Sequence, residues 1–273
     1  MTKPIFGTAL KIISKDFYKI NLYFAFYDIN DLPVDMKKLP FFLFLFTLNL
    51  LQDISFSQEN IFTAGFQYKF IFPSEFFNTG TKTISQNGIN FSVSQKTGYC
   101  AGMVLRRGLT KRFSFETGIN YVKRNYDLSI TDTTFIGKSN FAIIGYEIPI
   151  QGLVFLRISE KVFINTSFGL SWDMYPSNIA TSASYFKHNS NRHSLFQFSV
   201  LANFGCEYRT EKNGYFYLGA SYHLPFSYFY SSIFNYTPRQ EIVKMKLRGN
   251  YFAIDFRYYF HEDPLKKKKS KKI

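Results

Sequence analysis

Residues 251–260 read YFAIDFRYYF, with Phe252, Ile254, Phe256, Tyr258 and Phe260 falling on one side and Ala253, Asp255, Arg257 and Tyr259 on the other. A strict period of two is the mark of a β-strand with two unlike faces. Working back through the chain, the same alternation recurs over residues 62–72, 99–109, 113–122, 144–157, 162–173, 196–208 and 215–224. Residues 62–72 set Phe62, Ala64, Phe66, Tyr68, Phe70 and Phe72 against Thr63, Gly65, Gln67, Lys69 and Ile71. With the stretch at 251–260 this makes eight strands. No segment after Gln58 keeps a helical spacing, so the class is all-β.

The links between these strands are of two kinds. Those after the second, fourth and sixth strands are tight, being TKR at 110–112, SEK at 159–161 and TEKNG at 210–214. Those after the first, third, fifth and seventh are long, covering roughly 73–97, 126–140, 174–194 and 225–249. Such alternation is expected of an up-and-down barrel whose long links all leave at one end. An even strand number, short turns at one end, long loops at the other and aromatic girdles are the features of transmembrane barrels of the outer-membrane type. The expected fold is therefore an eight-stranded antiparallel up-and-down transmembrane β-barrel.

A soluble lipocalin-like binding barrel would point its apolar face inward. Here the polar face holds few of the long charged side chains of a water-facing surface, and is rich in Gly, Ser, Asn and Gln, which suit a narrow lumen. An eight-stranded barrel has an interior just wide enough to be filled by side chains, so charges on that face must pair with one another. If TKR is a turn, Arg106 and Glu116 lie directly across the hairpin, where opposite charges stabilise each other. They are the expected lumen ion pair, with Glu147, Arg157, Glu207, Asp255 and Arg257 extending the polar filling.

Residues 36–57 place the chain. Met36-Lys37-Lys38 is a positive start, Leu39 to Leu51 an apolar run of 13 residues, and Ser55-Phe56-Ser57 puts small residues at the positions a signal peptidase reads. A transmembrane helix needs about 20 apolar residues, more than this run offers. We expect an export signal over 36–57, an upstream segment 1–35 that precedes the true start at Met36, a barrel over 58–260 and a basic tail over 261–273. The formal charge of +14 is unevenly spread, and PLKKKKSKKI within that tail carries six lysines. A short run of like charge is ordinarily a solvated end, and with no recognition module beside it no nucleic-acid partner is expected. Cys100 and Cys206 form no C-x-x-C pair, so neither zinc nor redox chemistry is supported; free thiols, buried or lipid-facing, are expected over a disulfide.

Tyr146-Glu147-Ile148-Pro149-Ile150, within GYEIPIQGLVFL, resembles the aromatic-x-aliphatic-Pro-aliphatic segment of the PorT-like outer-membrane β-barrels of Bacteroidetes. The resemblance extends over the signal and residues 58–260. It implies residence in the outer membrane of a Gram-negative bacterium, contact with outer-membrane lipid, and an association with secretion or gliding machinery found for some members. The aromatic end of YFAIDFRYYF is similar to the final-strand signal read by the barrel-assembly machinery, although thirteen residues follow Phe260.

The function expected on these grounds is that of a non-enzymatic envelope protein for structure or interaction. The alternative is a small lipid-modifying enzyme: Ser221-x-His223 sets a hydroxyl and an imidazole on one face, the minimum for nucleophilic catalysis with a base, but that face points into the lumen, out of reach of lipid. A pore is disfavoured by a filled lumen. His188 and His193 lie in what reads as a polar loop without a carboxylate cluster, so no metal site is expected there, and no cofactor is expected anywhere. The aromatic link PFSYFYSSIFNYTPRQ is read as an extension of a girdle, with an adhesive surface as the other option.

Overall fold

The computed structural model describes residues 61–74, 80–110, 112–183, 185–210 and 212–261. The upstream segment, the signal and the basic tail beyond His261 lie outside the described residues. The described residues form fourteen antiparallel strands: β1 (Phe62–Phe72), β2 (Lys82–Gln86), β3 (Ile89–Gln95), β4 (Gly98–Gly108), β5 (Phe113–Thr131), β6 (Ile136–Arg157), β7 (Val162–Met174), β8 (Ile179–Ala183), β9 (Phe186–Arg192), β10 (Phe196–Arg209), β11 (Tyr215–Pro225), β12 (Tyr230–Tyr236), β13 (Glu241–Leu247) and β14 (Tyr251–Tyr259). The expectation of eight strands thus falls short by six.

Eight of the fourteen pair in a closed circuit, β1-β4-β5-β6-β7-β10-β11-β14 and back to β1. The circuit is uneven. Between β5 and β6 the ladder lapses for two residues, Gly118 and Ile119, opposite Pro149 and Ile148, because proline has no N–H to give to a ladder.

The six extra strands lie in the links that read as loops. β2 and β3 form a hairpin closed by Asn87-Gly88, at φ 51° and 77°; both central residues of this turn type need positive φ, which Asn and Gly adopt most easily. β5 and β6 run on past the ring and turn at residues 132–135, while β8–β9 and β12–β13 make two more hairpins that join as a four-stranded sheet, β13-β12-β9-β8. That sheet packs on the one formed by β2, β3 and the far halves of β5 and β6. Phe91, Leu128, Ile130, Phe141 and Ile143 from one sheet meet Phe186, Phe234, Val243, Met245 and Leu247 from the other, all almost fully buried. This small sandwich, here termed the head, holds the largest apolar core of the described residues.

The head corrects two expectations. The link PFSYFYSSIFNYTPRQ is not a girdle, since Phe229, Tyr230, Phe234 and Tyr236 are buried in the head core. Nor is His188 in a polar loop: it lies fully buried on β9, ringed by Phe141 and Phe234.

Ring and head obey opposite rules. In the ring the apolar side chains point out, with Phe66, Phe168, Phe204 and Ile119 each more than half exposed, while polar ones point in. In the head they point in, as in any protein surrounded by water. The two rules meet inside β5 and β6. On β5 the outward apolar positions are odd up to Tyr121, and the inward apolar positions are even from Tyr126; β6 makes the same exchange between Ile143, which is inward, and Ile144. The change of parity marks where the surroundings change. At that level Tyr68, Tyr99, Tyr121 and Tyr146 stand in a row across four strands, with neighbouring ring centroids 5.9–6.0 Å apart. A second aromatic group, Phe216, Tyr258 and Phe260, stands near the short turns. On β5, Tyr121 and Phe113 are separated by eight residues, which at about 3.3 Å per residue and roughly 40° of tilt gives roughly 20 Å of height. Outer-membrane barrels carry an apolar band of about 25 Å.

Phe234→Ala is expected to destabilise the head by about 3–5 kcal/mol through the cavity it leaves. Limited proteolysis in detergent should then cut residues 175–195 and 226–250 faster while the ring stays resistant; unchanged cleavage would show that the head is not a packed unit.

Candidate functional site

The inward face of the ring brings five basic side chains against five carboxylates. Arg106 and Glu116 are direct cross-strand partners, joined from Nε to Oε2 at 3.0 Å, and the same guanidinium donates from Nη1 to Glu207 Oε2 at 2.5 Å. Arg257 bridges Glu116 Oε1 at 2.5 Å and Asp255 Oδ2 at 2.8 Å. Lys69 approaches Asp255 at 3.6 Å, and Arg209 closes on Glu207 Oε1 at 2.7 Å. The hydroxyls of Tyr259 and Ser221 donate to Glu116 and Asp255, and the Tyr259 ring lies 3.8 Å beneath the Arg106 guanidinium. Arg106 is wholly buried, and each of its two carboxylates holds a second basic partner, Arg257 on Glu116 and Arg209 on Glu207.

Nearer the head is a second cluster. Arg124 donates to Glu147 Oε1 at 2.9 Å, Tyr251 donates to Glu147 Oε2 at 2.8 Å, and His223 Nε2 lies 2.9 Å from Asp173 Oδ2 and 3.4 Å from Glu147. Ser171 and Ser199 donate to the two oxygens of Asp173, and the His223 ring stacks on Tyr251. Between the clusters, Gln67 donates to Asn120, while Asn203 donates to Gln151 and Ser167.

Of the seven residues expected in the lumen filling, Arg106, Glu116, Glu147, Glu207, Asp255 and Arg257 are buried on the inward face. Arg157 is not part of the filling. It sits at the rim beside the 158–161 turn, half-buried, with Nε donating to the Ser159 carbonyl at 3.1 Å, because the ring ends there and water meets the guanidinium. The network also includes Lys69, Asp173, Arg124 and Arg209, which are not among the seven expected. The first two stand on the polar faces of their strands, while Arg124 and Arg209 lie just past the ends expected for the third and sixth strands.

Glu147, Asp173 and His223 present ligand atoms within 4.8 Å of one another, near enough to share a cation. Every carboxylate oxygen in the group already accepts a hydrogen bond from the protein, and Arg124 brings its charge to within 2.9 Å. The donor set is that of a closed ion network. Ser221 and His223 are likewise engaged by different carboxylates, Asp255 and Asp173, and not by each other. Cys100 is buried on the inward face, Cys206 is exposed on the outward face, and both are free.

In the head, His188 Nε2 lies 2.7 Å from Ser232 Oγ and 3.0 Å from Ser190 Oγ. Burial pushes its imidazole down to about 4, so it is neutral where the unfolded residue, at about 6.5, takes up a proton.

No family profile matches the chain, and no curated protein matches its sequence. Among solved structures it is similar to the outer membrane protein OprG from Pseudomonas aeruginosa, with a TM-score of 0.51 and 13% identity over 77% of this chain and 100% of that one. A match to the outer membrane protease OmpT from Escherichia coli covers 76% of this chain and 97% of that one at 12% identity, with a TM-score of 0.27 that is too low to carry an argument. The chain has the all-β antiparallel fold of outer-membrane barrels.

Two outcomes follow from the site. Arg106→Ala should cost about 3–5 kcal/mol, since it removes charge-assisted hydrogen bonds to Glu116 and Glu207 and leaves a void beside them; urea titration of folding into lipid vesicles measures it, and a loss under about 1 kcal/mol would contradict the buried-pair account. Because the unfolded chain binds a proton at His188 that the folded head does not, head stability should fall as pH drops from about 6.5 to about 4. Protease resistance of the head, followed across that range, should decline more steeply in the native protein than in His188→Leu.

Proposed function

We propose that this protein is a non-enzymatic outer-membrane barrel whose ring is a sealed anchor and whose working part is the head it holds outside the cell. The observation that carries the proposal is the division of labour between the two parts. The ring interior is filled by paired charges, and the four long links are folded into a cored sandwich instead of a set of separate loops. A lumen packed in this way leaves no aqueous path. A folded head with its own core presents a fixed surface, which suits recognition better than gating.

An envelope location agrees with the apolar outward face of the ring, the two aromatic groups and the export signal expected at 36–57. Patches of this size on a water-facing surface ordinarily mark contact with a membrane or a partner. Membership of the PorT-like family, and with it a part in secretion or gliding, belongs to the same proposal; its support is GYEIPIQGLVFL, whose Pro149 stands at the lapse in the β5–β6 ladder. Enzymatic action on lipid finds less support, since Ser221 and His223 are buried in the lumen and bonded to separate carboxylates.

Planar-bilayer recording tests the proposal. The folded protein should insert without discrete conductance steps; stable open steps from the native protein, lost on blocking the head end, would replace the sealed anchor with a channel.

A further inference from the structure

We propose that the outward face at the junction of ring and head holds a binding site for the phosphate of a membrane lipid headgroup. The inference rests on the reading of the ring as membrane-embedded. A polar notch of about 460 Å³ opens there, lined by Lys96, Thr97, Lys123, Asn125, Asp127 and Asn140 among others. It forms because β5 changes partners: β4 pairs with it as far as Lys123 and β3 only from Tyr126 onward, so the chain crossing from β3 to β4 at Lys96-Thr97 leaves a step. Asn125 fastens the step, its side chain donating to the Thr97 carbonyl at 2.8 Å and its own carbonyl accepting from the Lys96 N–H at 2.8 Å.

The height of the notch identifies its occupant. It lies at the level where the parity of apolar residues switches on β5 and β6, one outward position beyond Tyr121 and directly beside Tyr99, which is the cross-strand partner of Lys123. Rings below it face the apolar band and the head above it faces water, so what reaches the notch from the side is a lipid headgroup. Tyrosines are enriched at that boundary for the same reason.

The charges identify its chemistry. Lys96 pairs with Asp127 at 3.2 Å with both side chains about half exposed, whereas Lys123 has no carboxylate partner among the described residues. The notch therefore carries one uncompensated positive charge, with a second ammonium held close to it by a weak, exposed pair. A phosphate brought against Lys123 gains a charge-assisted contact and meets side-chain hydroxyl and amide groups from Thr97 and Asn140.

The test compares the native protein with Lys123→Ala and with Lys96→Ala/Lys123→Ala. Each is folded into detergent micelles doped with phosphatidylglycerol or with an uncharged glycosyl diacylglycerol, and retained lipid is counted by native mass spectrometry. Lys96 is exposed, Lys123 is half-buried and neither belongs to the ion network of the ring, so both variants should leave the heat-modifiable migration of the folded barrel unchanged. The native protein should retain phosphatidylglycerol over the uncharged lipid. Occupancy should fall roughly tenfold in Lys123→Ala, as expected for loss of one charged contact, and further in the double variant. Equal retention by native and variant proteins, or equal retention of the uncharged lipid, overturns the site. Full displacement by millimolar inorganic phosphate points to a free-anion site and overturns the lipid assignment. A protein that folds only in the absence of any amphiphile fails the membrane reading itself, a separate result.

Discussion

A ring of eight strands encloses a space that side chains must fill, and in this protein the filling includes five basic side chains and five carboxylates. That constraint governs the rest. Lys69, Arg106, Arg124, Arg209 and Arg257 are held against Glu116, Glu147, Asp173, Glu207 and Asp255 by contacts that cross from strand to strand around the ring, apart from Arg209–Glu207 and Arg257–Asp255, which lie along one strand. Taking a charge out of water is costly, and the attraction of its partner offsets that cost only where geometry is good and the remaining lone pairs are satisfied. Hence the tyrosine and serine hydroxyls aimed at Glu116, Glu147, Asp173 and Asp255. The polar interior also explains the outward face: with the hydrophilic side chains committed inward, the apolar ones must face the surroundings.

The head follows the converse rule, and β5 and β6 connect the two. Each is a continuous strand of 19 or 22 residues that is inside-out in its ring half and conventional in its head half. The parity exchange between Tyr121 and Tyr126, and between Ile143 and Ile144, needs no break in hydrogen bonding along the β5–β6 ladder from Asn120 to Thr131. It needs only a change in which alternate positions are apolar. The tyrosine row stands at the exchange because a phenol tolerates an apolar neighbour on one side and water on the other.

How much of this was legible in the sequence depended on contrast between faces. The ring strands declare themselves because Phe, Ile and Tyr alternate with Ser, Asn, Gln and ions over ten residues or more, and their ends are marked by tight turns; the structure places most boundaries within one or two residues. The Arg106–Glu116 register could be counted from a three-residue turn. The head strands are shorter and their alternation is out of phase with that of the ring, so the pattern along β5 breaks at Val122, short of Arg124. Signals were nevertheless present. Ile89, Phe91 and Val93 alternate directly after Asn87-Gly88, the strongest short hairpin signal there is, and Val243, Met245 and Leu247 alternate on β13. What no local reading could give was the pairing of one link with another: the burial of His188 depends on Phe141 and Phe234, which come from different hairpins. Arg157 erred the other way, being in phase with the lumen but beyond its end.

The central claim is that the outward face of the ring meets lipid. The chain's single tryptophan, Trp172, stands on that face beside Ile148, 45% exposed, and so reports on the claim without any substitution. In vesicles its fluorescence should be quenched by nitroxides placed high on the lipid acyl chains and should be shielded from iodide in the water. Strong quenching by iodide, with no response to the acyl-chain nitroxides, would contradict the account.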